Sequence, residues 1–319
     1  MLTVVRNRPM GKLLAISSGN GYLSLCLQDE RIRGAVVAKV AIAEFESDVR
    51  ESLVQALRLI GSINDLNKAD RPVVIKVGIF DHRTENHTTI DVTDAIVGSF
   101  NKAPQIYLAE SDNYRGKGLE RLQIWKSLFS ERVVPFNLSD DLDAKKVKVA
   151  NGEMNLSHIL FKPNVLVSTH IMRTFERGSI LKNLFGLVPE RKKARFHKKL
   201  DTLLLDIYEA IGGIDLAVLD GTYAYRGAGA NPHAGTESKN CRIRTNVLLV
   251  GRDAIAVETV GATLVGLKPE KLPIIQEAVR RGLGEGDIRK IEIVGASFGS
   301  IDEKFSKVRD AFKEKRKRA

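Results

Sequence analysis

The sequence predicts an α/β fold, a mostly parallel sheet or sheets flanked by helices, with an N-terminal antiparallel hairpin. Three observations lead there. Short, β-branched, largely apolar runs recur along the 319 residues. Such runs read as strands covered on both faces. Between them lie segments whose apolar residues fall at helical spacing, and this alternation argues for a parallel sheet.

The strand-like runs are 22–27, 35–43, 72–80, 105–110, 164–168, 214–220, 245–251 and 290–295. The first two, joined by the charged turn QDERIRG, read as the hairpin. Ser47 to Ile60 places Val49, Leu53, Ala56, Leu57 and Ile60 on one stripe. Leu119 to Phe129 does the same with Leu122, Trp125 and Phe129, and Leu200 to Ile211 with Leu203, Leu204, Ile207 and Tyr208. A final helix from Ile301 to about Lys317 carries Ile301, Phe305, Val308 and Phe312 on a docking stripe. The polar stretch 137–157 divides a 1–140 N-terminal α/β part from a 141–319 C-terminal part. Its alternating KKVKVANG also suits an edge hairpin, which leaves a single intertwined domain open.

Composition narrows the classes. No run approaches the roughly 18 to 20 apolar residues that span a bilayer, and no apolar leader stands at the N-terminus. A cytoplasmic protein without a membrane partner is expected. Cys26 and Cys241 are far apart and form no CxxC, so self-contained disulfide frameworks, zinc knuckles and an iron–sulfur cluster are excluded. The net charge of +11 is local: residues 189–199 carry an excess of five positive charges and 304–319 an excess of six. The rest of the chain is neutral, unlike a protein that spreads basic residues over a nucleic-acid-binding face.

Ligands in open α/β sheets sit beyond the carboxyl ends of the strands. Three predicted strands place polar groups there: Glu110, Thr169-His170 and Asp220-Gly221. His170 suits general acid–base work because imidazole titrates near neutral pH. Asp220 or Glu110 would orient it or hold a metal. The glycine-rich segment 221–240 adds Arg226 and His233, and its backbone N–H groups could approach an anion. It lacks the dinucleotide fingerprint, and no Walker A sequence is present. Asp253 fits a helix N-cap. His82, Glu85 and His87 are possible metal ligands, at a spacing that fits no helical zinc motif.

The segment SILKNLFGLVPERKKARFHKK, Ser179 to Lys199, gathers Lys182, Asn183, Gly186, Pro189, Arg191 and His197. Its Gly and Pro oppose a continuous helix, so it reads as a helical turn running into a loop. KNLFG followed by a basic stretch and a His resembles the central signature of domain-of-unknown-function family 362. VLVSTH (165–170), the Asp-Gly at 220–221, LLVGRDAIAVETVGATLVGL (248–267) and RRGLGEGD (280–287) resemble further pieces of that family in order. The resemblance covers roughly residues 70 to 295 and implies the fold more firmly than an activity. It places a ligand site at Lys76 on the first strand. Two positions depart from the pattern: Lys76-Val77-Gly78 stands for Lys-Pro-Asn, and Glu258 for Asp. The family is similar at fold level to lactate racemase, whose cofactor carries nickel, which implies isomerase-like acid–base chemistry.

Two readings of function follow. In the first, Lys76, Lys182, Asn183, Arg191, His197, Arg226 and His233 hold a small carboxylate or phosphate ligand. His170, Asp220 and Glu110 are then the catalytic candidates, and a metal is possible. In the second, 191–199 and the basic tail contact nucleic-acid phosphates. The chain is 6% aromatic, and only Phe196 interrupts the first basic run. A base-stacking platform is therefore not evident.

Overall fold

A computed structural model describes residues 37–150, 152–161, 163–227 and 242–317, with side chains to Phe312. Eight strands form one mixed sheet. In chain order they are β1 (Lys39–Glu44), β2 (Val73–Lys76), β3 (Ile106–Glu110), β4 (Val133–Asn137), β7 (Val165–Arg173), β8 (Leu216–Tyr225), β9 (Arg242–Gly251) and β10 (Glu292–Gly295). The spatial order is β10-β1-β9-β8-β7-β2-β3-β4. Only β9 runs against its neighbours, so the other seven strands present their carboxyl ends to one edge. A separate antiparallel hairpin pairs β5 (Ala144–Val149) with β6 (Gly152–Ser157).

The residues explain these elements. All four positions of β2 and all nine of β7 are buried, as central strands covered on both faces are, although each carries polar residues at its carboxyl end. β4 carries Pro135 and lies at the sheet edge, where a missing N–H costs no ladder bond. β5 and β6 alternate, turning Val147, Val149, Met154 and Leu156 inward and their lysines outward. The hairpin is tied to α5 (Leu200–Ala210) by Ala150 N–H donating to Asp206 at 2.6 Å. Both edges of β1 are taken by β10 and β9. The run 22–27, expected as its hairpin partner, lies outside the described residues.

Helices cover both faces. On one side α1 (Val49–Leu59) and α2 (Ile90–Ser99) pack with Val73, Ile75, Val165, Val167 and Val218. On the other, Val74, Leu166, Ala217 and Leu219 meet α4 (Ile180–Asn183), α5, α6 (Ala254–Leu264), α7 (Pro273–Arg280) and α8 (Phe298–Lys317). The short α3 (Gly118–Leu122) follows β3. Asp253 caps α6, accepting from Ile255 N–H and Ala256 N–H at 2.9 Å. No helix among the described residues is long and apolar enough to cross a membrane.

The topology fixes where a site can form. From β2 the chain moves outward through β3 to β4, then returns to lay β7 on the other side of β2 and β8 beyond it. The reversal between β2 and β7 is a topological switch point, which opens a crevice at the carboxyl edge.

One stability prediction arises from α8. Its buried stripe ends at Phe312, and residues 313–319 contain six charged residues and one Ala. Deleting 313–319 should shift the melting midpoint by a few degrees at most, a loss of about 1 kcal/mol or less. An insoluble or unfolded product would contradict this.

Candidate functional site

A cavity of about 790 Å³ opens at the switch point. Its walls come from the segments that follow β2, β3, β7 and α4. The floor is a buried ionic network. Glu110, the last residue of β3, is 2% exposed. Its Oε1 accepts from Lys76 Nζ at 2.5 Å. Its Oε2 accepts from Arg121 Nη2 at 2.9 Å and from Ser111 N–H at 2.7 Å. Burial pushes the Glu110 carboxyl up, but Arg121, Lys76 and Lys193 together outweigh it and hold it below the usual range.

Lys76 closes β2 on the face shared with Val74. Its Nζ lies within bonding distance of three acceptors: Val77 O at 2.7 Å, Glu110 Oε1, and Asn183 Oδ1 at 3.0 Å. A neutral amine has two hydrogens and cannot satisfy three acceptors, so the group is an ammonium although burial lowers its pKa. The Asn183 amide is oriented by the same network. Its Nδ2, with two hydrogens, lies within bonding distance of Lys76 O at 2.9 Å, Thr169 O at 3.1 Å and Ser168 Oγ at 3.2 Å, which leaves Oδ1 for the ammonium.

The KNLFG segment explains itself in this setting. Ile180 to Asn183 form one helical turn and Leu184 to Leu187 a 3-10 turn. A Cβ on Gly186 would stand 2.4 Å from Lys76 Cε and Nζ and 2.7 Å from Glu110 Oε1. Only glycine lets this backbone lie on the ion pair. Glu258 on α6 accepts from Ser179 N–H and Leu181 N–H at 2.9 Å, holding the first turn of α4 in place. Desolvation raises its pKa against those bonds and the nearby Arg173.

Around the network stand several cations. Arg115, Arg121, Arg173, Lys182, Lys192 and Lys193 line the cavity, Glu110 is the single carboxylate among the described lining residues, and Arg115 reaches Asp81 at 3.7 Å. Lys193 donates to Ser111 Oγ at 2.7 Å and Phe185 O at 3.2 Å. Lys182 is half-buried, and its Nζ sits 4.0 Å from the centre of the Phe185 ring. Burial, and then the charges of Arg173 and Lys193, lower Lys182 to about 7. Lys193 is lowered to about 7 by burial, with Arg121 and Lys76 adding to it against the opposing Glu110. Burial also brings Arg173 to about 10.

His170 is 5% exposed and lines the same cavity. Burial first, then Arg173, Lys76 and Lys182, hold its pKa well below the ordinary imidazole value, so the ring is neutral at pH 7. Nδ1 lies 3.2 Å from Ile171 O. A carbonyl can only accept, so Nδ1 carries the hydrogen and Nε2 keeps the basic lone pair. A Cβ on residue 78 would come 2.3 Å from His170 Cγ and Cδ2. The ring therefore packs on Gly78.

The cavity brings Glu110, His170, Lys182, Asn183 and His197 together, with Lys76 beneath. His197 is an exposed rim residue whose Nδ1 lies 3.1 Å from Ala194 O. Asp220 is not brought there. It shares strand parity with Leu216 and Val218, which face α1 and α2, whereas His170 shares parity with Leu166 on the opposite face. The Asp220 carboxylate accepts from Thr89 N–H at 2.7 Å, Thr89 Oγ1 at 2.8 Å and Thr222 N–H at 2.9 Å, anchoring the start of α2. Arg191 is exposed, Arg226 is half-buried, and neither lines the cavity. His233 lies outside the described residues. His87 packs edge-on against Trp125, and Glu85 pairs with Arg242. Among the described residues no group of three His, Cys, Asp or Glu side chains is placed to hold a metal.

Arg121, Arg173 and Lys193 were not singled out by sequence reasoning. Arg173 lies beyond the predicted end of its strand, and Arg121 hides among helix residues that look like a solvated face. Lys193 differs from its basic neighbours only in burial, 8% exposed against the exposed Arg191 and Lys192.

Fold and site together define an α/β protein with a cation-rich cavity at the switch point of a mostly parallel sheet. The chain belongs to the family described as a domain of unknown function (DUF362), whose model matches residues 73–263. That span runs from the first residue of β2 into α6 and contains every described residue that lines the cavity. No curated protein matches the chain.

Proposed function

We propose that the cavity binds a small organic anion, a carboxylate or phosphate, and that His170 acts on it as a general base. The observation that carries this reading is the charge imbalance. The carboxylate of Glu110 is already engaged by Lys76 and Arg121, while burial and other cations lower Lys182 and Lys193 to about 7, so that each is only partly charged at neutral pH. An anion between them would supply the missing countercharge at low dielectric, where it counts most. A neutral His170 with a free Nε2 suits proton abstraction from the bound molecule. Lys182, protonated by anion binding, could return a proton.

Binding should be tested with sulfate, whose charge is constant across the range. Lys182→Ala should remove a charge-assisted contact of about 1.5–3 kcal/mol, roughly 10- to 150-fold in affinity. Lys198→Ala and Lys199→Ala, both exposed residues, should do little. The pH dependence has a definite sign. Free Lys182 and Lys193 titrate at about 7, and a bound anion raises both. Affinity is therefore full below pH 7 and falls as pH rises through it, with protons taken up on binding. Calorimetry in buffers of different ionisation heat measures that uptake. Equal, steeply salt-dependent losses at Lys182, Lys198 and Lys199 would instead favour a surface that tracks nucleic-acid phosphates.

A further inference from the structure

We infer that the anion taken by this cavity is a planar aromatic acid, its charged group held by the inner lysines and its ring by an aromatic mouth. This rests on the proposed anion-binding reading and adds the chemical class of the rest of the molecule. The cavity, at about 790 Å³, is far larger than a bare oxyanion needs and falls in the range of organic-ligand pockets. Among the described residues four aromatic side chains line it, one on each segment that builds its walls: Phe80, Tyr114, Phe175 and Phe185.

Two of them are anomalous. Phe80 is 38% exposed and Tyr114 is 59% exposed. They meet edge to face with ring centres 5.4 Å apart. The backbone under Phe80 is braced: Asn113 Nδ2 donates to Phe80 O at 2.9 Å, and Arg121 Nη1 to Ile79 O at 2.7 Å. Wet aromatic surface at a cavity mouth is unfavourable until something apolar covers it. The other two rings are capped by cations. Lys182 and Lys193 lie 4.0 and 5.7 Å from the Phe185 centre, and Arg173 lies 5.8 Å from that of Phe175. Arg115 lies 4.8 Å from the Tyr114 centre. The wall thus offers both things an aromatic acid needs: cations for its charge, and ring and guanidinium faces for its plane. A small inorganic ion would leave Phe80 and Tyr114 in water.

The test is calorimetric titration of the full chain at pH 6.5 with benzoate, cyclohexanecarboxylate and acetate, and with sulfate as the bare anion. Benzoate should bind at least about tenfold more tightly than acetate, and more tightly than the non-planar ring acid. Tyr114→Ala and the more conservative Phe80→Leu should each cut benzoate affinity several-fold and leave sulfate affinity within about twofold. Equal binding of benzoate, cyclohexanecarboxylate and acetate, with sulfate binding intact, would overturn the aromatic assignment and leave the anion site standing. So would variants that weaken sulfate as much as benzoate. Failure of all four anions to bind would remove the anion-binding reading itself, and this inference with it.

Discussion

Glu110→Gln should destabilise the protein by about 3–5 kcal/mol, because breaking a buried ion pair leaves its partners charged and uncompensated. The partners are Lys76, 1% exposed, and Arg121, 1% exposed, with Lys193 close by. The amide keeps the shape of the carboxylate but not its charge. For a chain of this size the melting midpoint should fall by on the order of 10 °C. Lys76→Met added to Glu110→Gln should recover part of the loss, since one stranded ammonium is then gone. Arg50→Ala breaks an exposed pair with Asp94 of similar length, 2.6 Å, and should leave the midpoint nearly unchanged. The Glu110 contribution also has a pH signature. Its folded pKa is depressed, so the stabilisation is present above the ordinary glutamate range and is lost as pH falls through the folded value. A midpoint shift of only a degree or two for Glu110→Gln would refute the network.

Gly186→Ala should cost about 1–3 kcal/mol and abolish anion binding. The new methyl would stand 2.4 Å from Lys76 Cε and Nζ. Elsewhere a lysine end could swing aside, but this one is fixed by three acceptors and buried. Either the ammonium leaves Glu110 and Asn183, or the KNLFG turn lifts and carries Lys182 and Phe185 with it. The control is Gly98→Ala near the end of α2. There an added Cβ meets only Arg50 side-chain atoms at an ordinary 3.7 Å, and helix propensity predicts a gain of about 0.5–1 kcal/mol. Thermal shift with and without sulfate reads both effects. A Gly186→Ala protein with normal stability and sulfate response would disprove the packing argument.

The sheet was largely legible because buried parallel strands advertise themselves as apolar runs. Where reading failed, a local signal pointed elsewhere. The run 133–137 carries Pro135, which β4 tolerates as an edge strand, and it is not among the predicted strands. The first turns of α2 are rich in β-branched residues, Ile90, Val92 and Thr93, which have low helix propensity; the helix is held by the Thr89 cap and the Asp220 carboxylate, 131 residues away in sequence. β7 continues to Arg173 through Thr169 and His170, polar residues that looked like a strand end. Of the residues that line or underlie the cavity, the strand-end rule points to Glu110 and His170, and the resemblance to Lys76, Lys182 and Asn183. Asp220 obeyed the same rule and still faces the other way, because strand parity within a twisted, bulged pair is not visible in one sequence.

The place of β1 has a consequence in time. It lies between β9 and β10, touching no strand from the intervening stretch that carries the ionic network. On a ribosome, β1 leaves the exit about 200 residues before either neighbour is complete, on the order of 10–40 s at ordinary elongation rates. Throughout that wait Val40, Ala41 and Ile42, all fully buried in the finished fold, have no sheet to join. The parallel block from β2 to β8 can pair as it emerges, so the cavity is assembled before the sheet is complete. The first described strand is thus among the last to be sealed, and until then neither of its final partners is present to cover its edges.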